Sequence, residues 1–229
     1  MTSNAESEVR KDIETRGLEL EVIKPAEKGR RSLWMDALIK EFHEIAVDSF
    51  GRWLPFEAID GRTRDADLLL VLRDKGSRAV GYTVNELLTL NGTKTNYFAT
   101  GLLRRDIQGN GLYGPLNHLR SVAIPSEALM TRTQSPVVYR GFTKICSHQG
   151  LQVNPNGVSP SPKALDIAKA FCGKTGEDFI VKGVYNFGEG GRALMYDTPE
   201  PKTDIEKKIW SRLKINNGDA VIIVGVKDE

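Results

Sequence analysis

The stretch Leu102-Leu103-Arg104-Arg105-Asp106-Ile107-Gln108-Gly109-Asn110-Gly111-Leu112-Tyr113-Gly114 decides how this chain is read. It closes a run of strand character that begins at Thr95, passes through a polar segment from Arg104 to Asn110, and opens a helix expected from Gly111 to about Val122. Glycine at 109 and 111 lets the backbone approach a ligand closely or adopt positive φ. Free N–H groups at the start of the helix can then cradle a pyrophosphate, helped by the helix dipole. A glycine-rich connection that binds nothing carries the same local pattern. Gly109-x-Gly111-x-x-Gly114 completes the glycine spacing of the dinucleotide fingerprint by chance, since no acidic residue stands about 20 positions on, at Met130 to Arg132. No Gly-Lys-Ser/Thr follows, which excludes a P-loop.

Outward from this segment the pattern is a meander. Asp67–Arg73 is an apolar run of strand length, Asp74-Lys75-Gly76-Ser77 a turn, and Ala79–Val84 the second strand of a hairpin. Asn91-Gly92 turns into the third strand; with Thr93 it matches a glycosylation sequon, but the turn is the better reading. Upstream, Leu18–Ile23 alternates as a strand, Leu33 to Ala46 has helical spacing with Ser32 as N-cap, and Leu54–Ile59 is a weaker helix. Residues 1–17 are charged and read as a mobile tail or frayed helix. Downstream come a strand at Ala128–Thr133 and a helix from Pro136. Gln149–Pro162 is a loop and the best internal boundary; beyond it lie a helix from Ser161-Pro162, a strand Phe179–Tyr185, a helix capped by Thr203, and a last strand Ala220–Val226. The division expected is a tail (1–17), a core (18–149) and a C-terminal part (150–229) that completes the sheet.

The chain has 229 residues, with 32 Lys plus Arg against 30 Asp plus Glu, a formal charge of +2. A balance this near neutrality argues against a protein built to grip nucleic acid. The longest apolar runs, such as Leu68–Leu72 and Ala220–Val224, fall far short of the roughly 20 residues that cross a bilayer. Two cysteines, Cys146 and Cys172, define no disulfide framework and read as reduced thiols of a cytoplasmic protein. His43, His118 and His148 lack neighbours at metal-ligand spacing, so no metal is expected. Gly188-Glu189-Gly190-Gly191-Arg192 reads as a hairpin turn or a piece of a pocket wall, and Arg62, Arg64, Asp65 and Asp67 as a charged entry to a strand.

Gln108-x-x-Gly111-x-Tyr113 resembles the acyl-CoA-binding loop of the GNAT superfamily of N-acetyltransferases, Gln/Arg-x-x-Gly-x-Gly/Ala, with Tyr113 where the family prefers a small residue. The order of elements through residue 145 also resembles that family's: strand, two helices, three antiparallel strands, loop, helix, strand, helix. The resemblance implies an α/β (α+β) fold with a mixed, mostly antiparallel central sheet flanked by helices and a C-terminal extension. It implies acetyl-CoA or another acyl-CoA as cosubstrate and a primary amine, on a small molecule or a peptide, as acceptor. Backbone groups of Leu102, Leu103 and Arg104 would pair with the pantetheine. Gln108, Gly109, Asn110, Gly111 and Leu112 would donate to the pyrophosphate, with Tyr113 beside them and Arg104 near a phosphate. Glu86 is the candidate base and Tyr139 the candidate acid. Their bland counterparts are an exposed strand carboxylate and a packed core tyrosine. Gly141-Phe142 is read as helix continuing through Ile145 rather than as the family's landmark after its tyrosine. The fold's sheet edges allow a homodimer. A catalytically inactive, GNAT-shaped CoA-binding or regulatory module is the alternative.

Overall fold

The computed structural model describes residues 2–187 and 191–227; Gly188, Glu189 and Gly190 of the second glycine-rich loop lie outside the described residues, as do Met1, Asp228 and Glu229. The elements are α1 (Thr2–Thr15), β1 (Glu19–Ile23), α2 (Pro25–Lys28), α3 (Leu33–Phe50), α4 (Glu57–Asp65), β2 (Leu68–Arg73), β3 (Ala79–Leu90), β4 (Thr93–Leu103), α5 (Tyr113–Ala123), β5 (Ala128–Thr133), α6 (Pro136–His148), β6 (Gln152–Asn154), α7 (Pro162–Cys172), β7 (Ile180–Val181), α8 (Asp204–Trp210) and β8 (Ala220–Val226). The strands hydrogen-bond in the order β1-β2-β3-β4-β5-β8-β6, with β7 added to β8. The ladders β1–β2, β2–β3, β5–β8, β6–β8 and β7–β8 are antiparallel. This is the mostly antiparallel sheet with flanking helices that the acetyltransferase resemblance implies; the order differs from the expected one in α1 ahead of β1 and in three helices, α2 to α4, between β1 and β2.

The chain divides into two compact units, Met1–Glu86 with Phe98–Pro125, and Leu87–Tyr97 with Ser126–Glu229. In the first, the period of two sends alternate strand residues to opposite faces. Leu68, Leu70 and Leu72 meet Leu112, Leu116 and Leu119 around α5, where Val9 and Ile13 of α1 join them; Val80 reaches the same cluster because the β2–β3 register shifts beside Leu72 and Arg73, which breaks the alternation there. Each such fully buried side chain contributes roughly 1.5–3 kcal/mol of transfer free energy. The other face carries Tyr82, stacked on Phe42 of α3 with centroids 3.9 Å apart. Helix α3 starts where Ser32 accepts from Met35 N, and it stops at Gly51 (φ 70).

Residues 1–17, expected as a tail or frayed helix, contain α1, because Val9 and Ile13 stand one helical turn apart and both are buried. The weak helix expected at Leu54–Ile59 forms later, over Glu57–Asp65, so Arg62, Arg64 and Asp65 are helical; Arg64 pairs with Asp60 in α4 and Asp36 in α3. At the Asn91-Gly92 hairpin both φ values are positive, 48° and 80°, as a two-residue hairpin turn requires.

In the second unit β8 is buried throughout and pairs with β5 from Leu129↔Gly225 to Thr133↔Val221. A continuous apolar run suits a strand with neighbours on both edges. The expected loop 149–162 holds one of those neighbours, β6. The strand expected over Phe179–Tyr185 shortens to Ile180–Val181, since Phe179 (φ 57) and Gly183 (φ 66) are left-handed and cannot continue a ladder. Thr203 caps α8 by accepting from Glu206 N.

Candidate functional site

The segment after β4 is fastened to the first unit residue by residue. Arg104 N donates to Val80 O at 2.8 Å, so alternation turns the main-chain groups of Leu103 and Gly101 to the opposite edge of β4. One turn of 3-10 helix, Arg105–Ile107, follows. Arg105 N donates to Asp48 Oδ2 at 2.8 Å, and its guanidinium lies where a Cβ on Gly51 would stand, against the C-terminal end of α3. Gln108 sends its amide nitrogen to Leu103 O at 2.9 Å and Ser49 Oγ at 3.2 Å. Arg104 places Nε 3.1 Å from Ala79 O and Nη2 3.3 Å from Glu44.

The Gln108 main-chain N–H donates to Arg105 O at 3.3 Å and its side chain braces the loop. Arg104 is paired with Glu44, and Leu103 O already accepts from Gln108.

Beyond Gln108 the main chain is different. Gly109 and Gly111 have φ of 82° and 73°, and Leu112 returns to φ −70°, ψ −24°. A left-handed residue followed by a right-handed one turns successive N–H groups to the same side, a concave nest for an anion. Among the described residues, the N–H groups of 109 through 114 donate to no protein acceptor, and Leu116 N to Leu112 O is the first bond of α5. Pro115 has no N–H to offer, and no acidic residue occupies the first turn of α5. Leu112 is buried and pins the nest to the core, while Tyr113 is half-buried at the first helical position, its phenol pushed up mainly by burial.

Two arginines that sequence reading passed over shape this site. Arg16, just past α1, donates to Asn110 O and lies 3.1 Å from Asp12, with Nη1 about 3.5 Å from where a Cβ on Gly111 would be. By holding Asn110 O it turns the adjoining N–H groups outward and places beside them a guanidinium whose charge is shared with Asp12. Arg120, only 2% exposed, extends from α5 to Asn85 Oδ1 (2.6 Å), Val84 O (2.6 Å) and Asn117 Oδ1 (3.3 Å), with Cζ 4.2 Å over the Phe98 ring. A Cβ on Gly101 would lie 2.9 Å from its Nη1, so glycine there admits the guanidinium. Arg120 thereby fixes α5, and with it the nest, to β3 and β4. Neither could be found by pattern, because each is a lone arginine in an ordinary helical stretch.

Glu86 follows Tyr82 and Val84 on β3 and by alternation shares their face, that of α3; it is half-buried. Tyr139, in the second unit, is 5% exposed, and its hydroxyl donates to Pro155 O at 2.8 Å. Its ring meets Trp210 edge-on at 5.9 Å, and burial, with Glu206 second, pushes its phenol up to about 12. The phenol therefore keeps its proton, which points at a backbone carbonyl of its own unit. Cys146 is buried and its thiol is pushed up to about 12 by burial, which makes it inert. Among the described residues no cluster of His, Cys, Asp and Glu could hold a metal, and no helix is long and apolar enough to cross a membrane.

No family model matches the chain, and no curated protein matches it in sequence. Among solved structures it is similar to the ribosomal-protein-S18-alanine N-acetyltransferase of Escherichia coli, at 8% identity and TM-score 0.48 over 93% of this chain and 96% of that one. It is also similar to a diaminobutyrate acetyltransferase from Paenibacillus lautus in complex with diaminobutyric acid and coenzyme A, at 10% identity and TM-score 0.45, covering 91% and 94%. A third likeness is to the glucosamine N-acetyltransferase region of a fungal multi-domain beta-N-acetylglucosaminidase, at 15% identity and TM-score 0.42; the match takes in 74% of this chain but only 21% of that one.

Proposed function

We propose that this chain is an acyl-CoA-dependent N-acyltransferase whose 109–114 nest receives the pyrophosphate of the cosubstrate. The observation that carries the reading is the row of unengaged main-chain donors at the start of α5, directly after a strand end, with no competing carboxylate in the first turn. Charge-assisted hydrogen bonds of this kind are worth about 1.5–3 kcal/mol each. The helix dipole and the Arg16 guanidinium add to them. The donors are Gly109, Asn110, Gly111 and Leu112 N–H; Leu102 and Leu103 border the nest through β4, and Gln108 and Arg104 brace it.

Acyl-CoA supplies an acyl group activated as a thioester. An amine attacks the thioester carbonyl, the C–N bond forms as the C–S bond breaks, and the sulfur leaves with the electron pair. Glu86 is the residue proposed to take the amine's proton, directly or through water; the leaving sulfur takes its proton from solvent, since Tyr139 is engaged elsewhere. The acceptor is a primary amine of a small molecule or a peptide.

The test is release of free thiol from acetyl-CoA in the presence of a panel of primary amines. The reading expects amine-dependent thiol release, and a Glu86→Gln rate lower by about 10²–10⁴ with CoA affinity unchanged. Tight CoA binding with no thiol release from any amine would contradict the transferase reading.

A further inference from the structure

A cavity of about 560 Å³ in the second unit lies among Asp178, Lys182, Arg192, Arg212, Lys214 and Asp219. Its charge is organised in an uneven way. Asp219 is turned into the backbone, accepting Gly183 N at 3.1 Å and Lys214 N at 3.2 Å with its two oxygens, while exposed Asp178 accepts Ile180 N at 3.1 Å with one. The four cations make no ion pair among the described residues. Elsewhere eight arginines, Arg10, Arg16, Arg30, Arg64, Arg73, Arg78, Arg104 and Arg140, each face a carboxylate within 4 Å.

The walls are built, not incidental. Gln134, 1% exposed, has its amide nitrogen 2.8 Å from Asp219 O, 3.3 Å from Ile215 O and 3.5 Å from Arg192 O, and its oxygen accepts from Leu194 N. One buried side chain thus gathers the separate segments that carry Arg192, Lys214 and Asp219. Gly218 (φ 83) closes the join, since a Cβ there would stand 2.2 Å from Tyr185 O.

From this arrangement we infer that the cavity is a binding site for the clustered phosphates of a small ligand. The volume is that of a small-molecule site, and four cations around one concavity that form no ion pair among the described residues are matched by an anion of several charges. Two sources share this chemistry, a free nucleotide or polyphosphate and the phosphates of acyl-CoA itself. The inference does not depend on the transferase reading.

The probe is inorganic tripolyphosphate, titrated calorimetrically into the full chain. Saturable binding that weakens with added salt is expected. Arg212→Ala with Lys214→Ala should weaken it at least about tenfold, while Lys40→Ala with Lys144→Ala, which removes the same charge elsewhere, leaves it unchanged. All four side chains are exposed, so the melting curves of both variants should match the parent. Displacement of tripolyphosphate by CoA would assign the phosphates to the cosubstrate, and binding indifferent to saturating CoA would assign them to a free ligand. Absence of saturable heat, or equal weakening in the two double variants, would overturn the site.

Discussion

The loop after β4 and the cavity around Asp219 solve the same problem with opposite parts of the chain. In the loop, side-chain charge and polarity are engaged in scaffolding, with Arg104 on Glu44 and Gln108 on Leu103 O, and the main-chain N–H groups of 109–114 are left over. Around Asp219 the carboxylates hold the main chain and the cationic side chains are left over. Fixed peptide dipoles recognise a shape at a set place and are weakened little by salt. Flexible lysines and arginines recognise charge and are screened. A neutral overall balance therefore excludes neither kind of anion site, because what matters is which groups the fold leaves without partners.

The sharpest way to break the contrast lies at Gly111. A β-branched residue in its left-handed conformation costs about 1–2 kcal/mol or forces the loop to change, so Gly111→Val should weaken CoA binding at least about tenfold while unfolding stays cooperative and Tm falls by no more than about 2–8 °C. Affinity unchanged in calorimetry would show that the nest is not the site. Next in size is Arg16→Ala, which removes the bond to Asn110 O and one positive charge; CoA binding should fall about threefold to tenfold. Arg16→Lys should recover only the electrostatic part, and full recovery would mean that holding Asn110 is immaterial. The smallest effect is expected in the second unit. Tyr139→Phe should leave turnover within about twofold and cost about 0.5–1.5 kcal/mol of stability in urea melts.

Tyr139 also carries a pH signature. Its phenol is pushed up to about 12 in the folded chain, chiefly by burial, against about 10 when unfolded. The folded state therefore keeps the proton that the unfolded state releases first. The contribution is complete below about pH 10 and is lost as pH rises toward 12. Urea melts across that range should show a shallower alkaline decline for Tyr139→Phe than for the parent; identical slopes would mean that the phenol is not held protonated.

What the sequence made legible was whatever depends on local pattern. The Ser32 cap, the Asn91-Gly92 turn, the Thr203 cap and the unbroken β8 run each follow from one residue type or one period. The nest was legible because only glycine takes its φ values without strain. Helix α1 was obscured because its inward face, Val9 and Ile13, is set in a charged stretch and gains meaning only once α5 is beside it. Where the Gln108 amide points, and that the Tyr139 hydroxyl meets Pro155 O, was not legible, because spacing fixes neither a side-chain direction nor a contact made across a turn. The roles of Arg16, Arg120 and Gln134 are long-range by nature: each bonds a residue tens of positions away.

The most direct measurement is an amide-resolved NMR titration of the full chain with CoA. If the nest takes the pyrophosphate, the largest downfield shifts of the amide protons should belong to Gly109, Asn110, Gly111 and Leu112, with Gln108, already bonded to Arg105 O, moving much less. Saturation with CoA that leaves those four resonances in place while others shift would contradict the account.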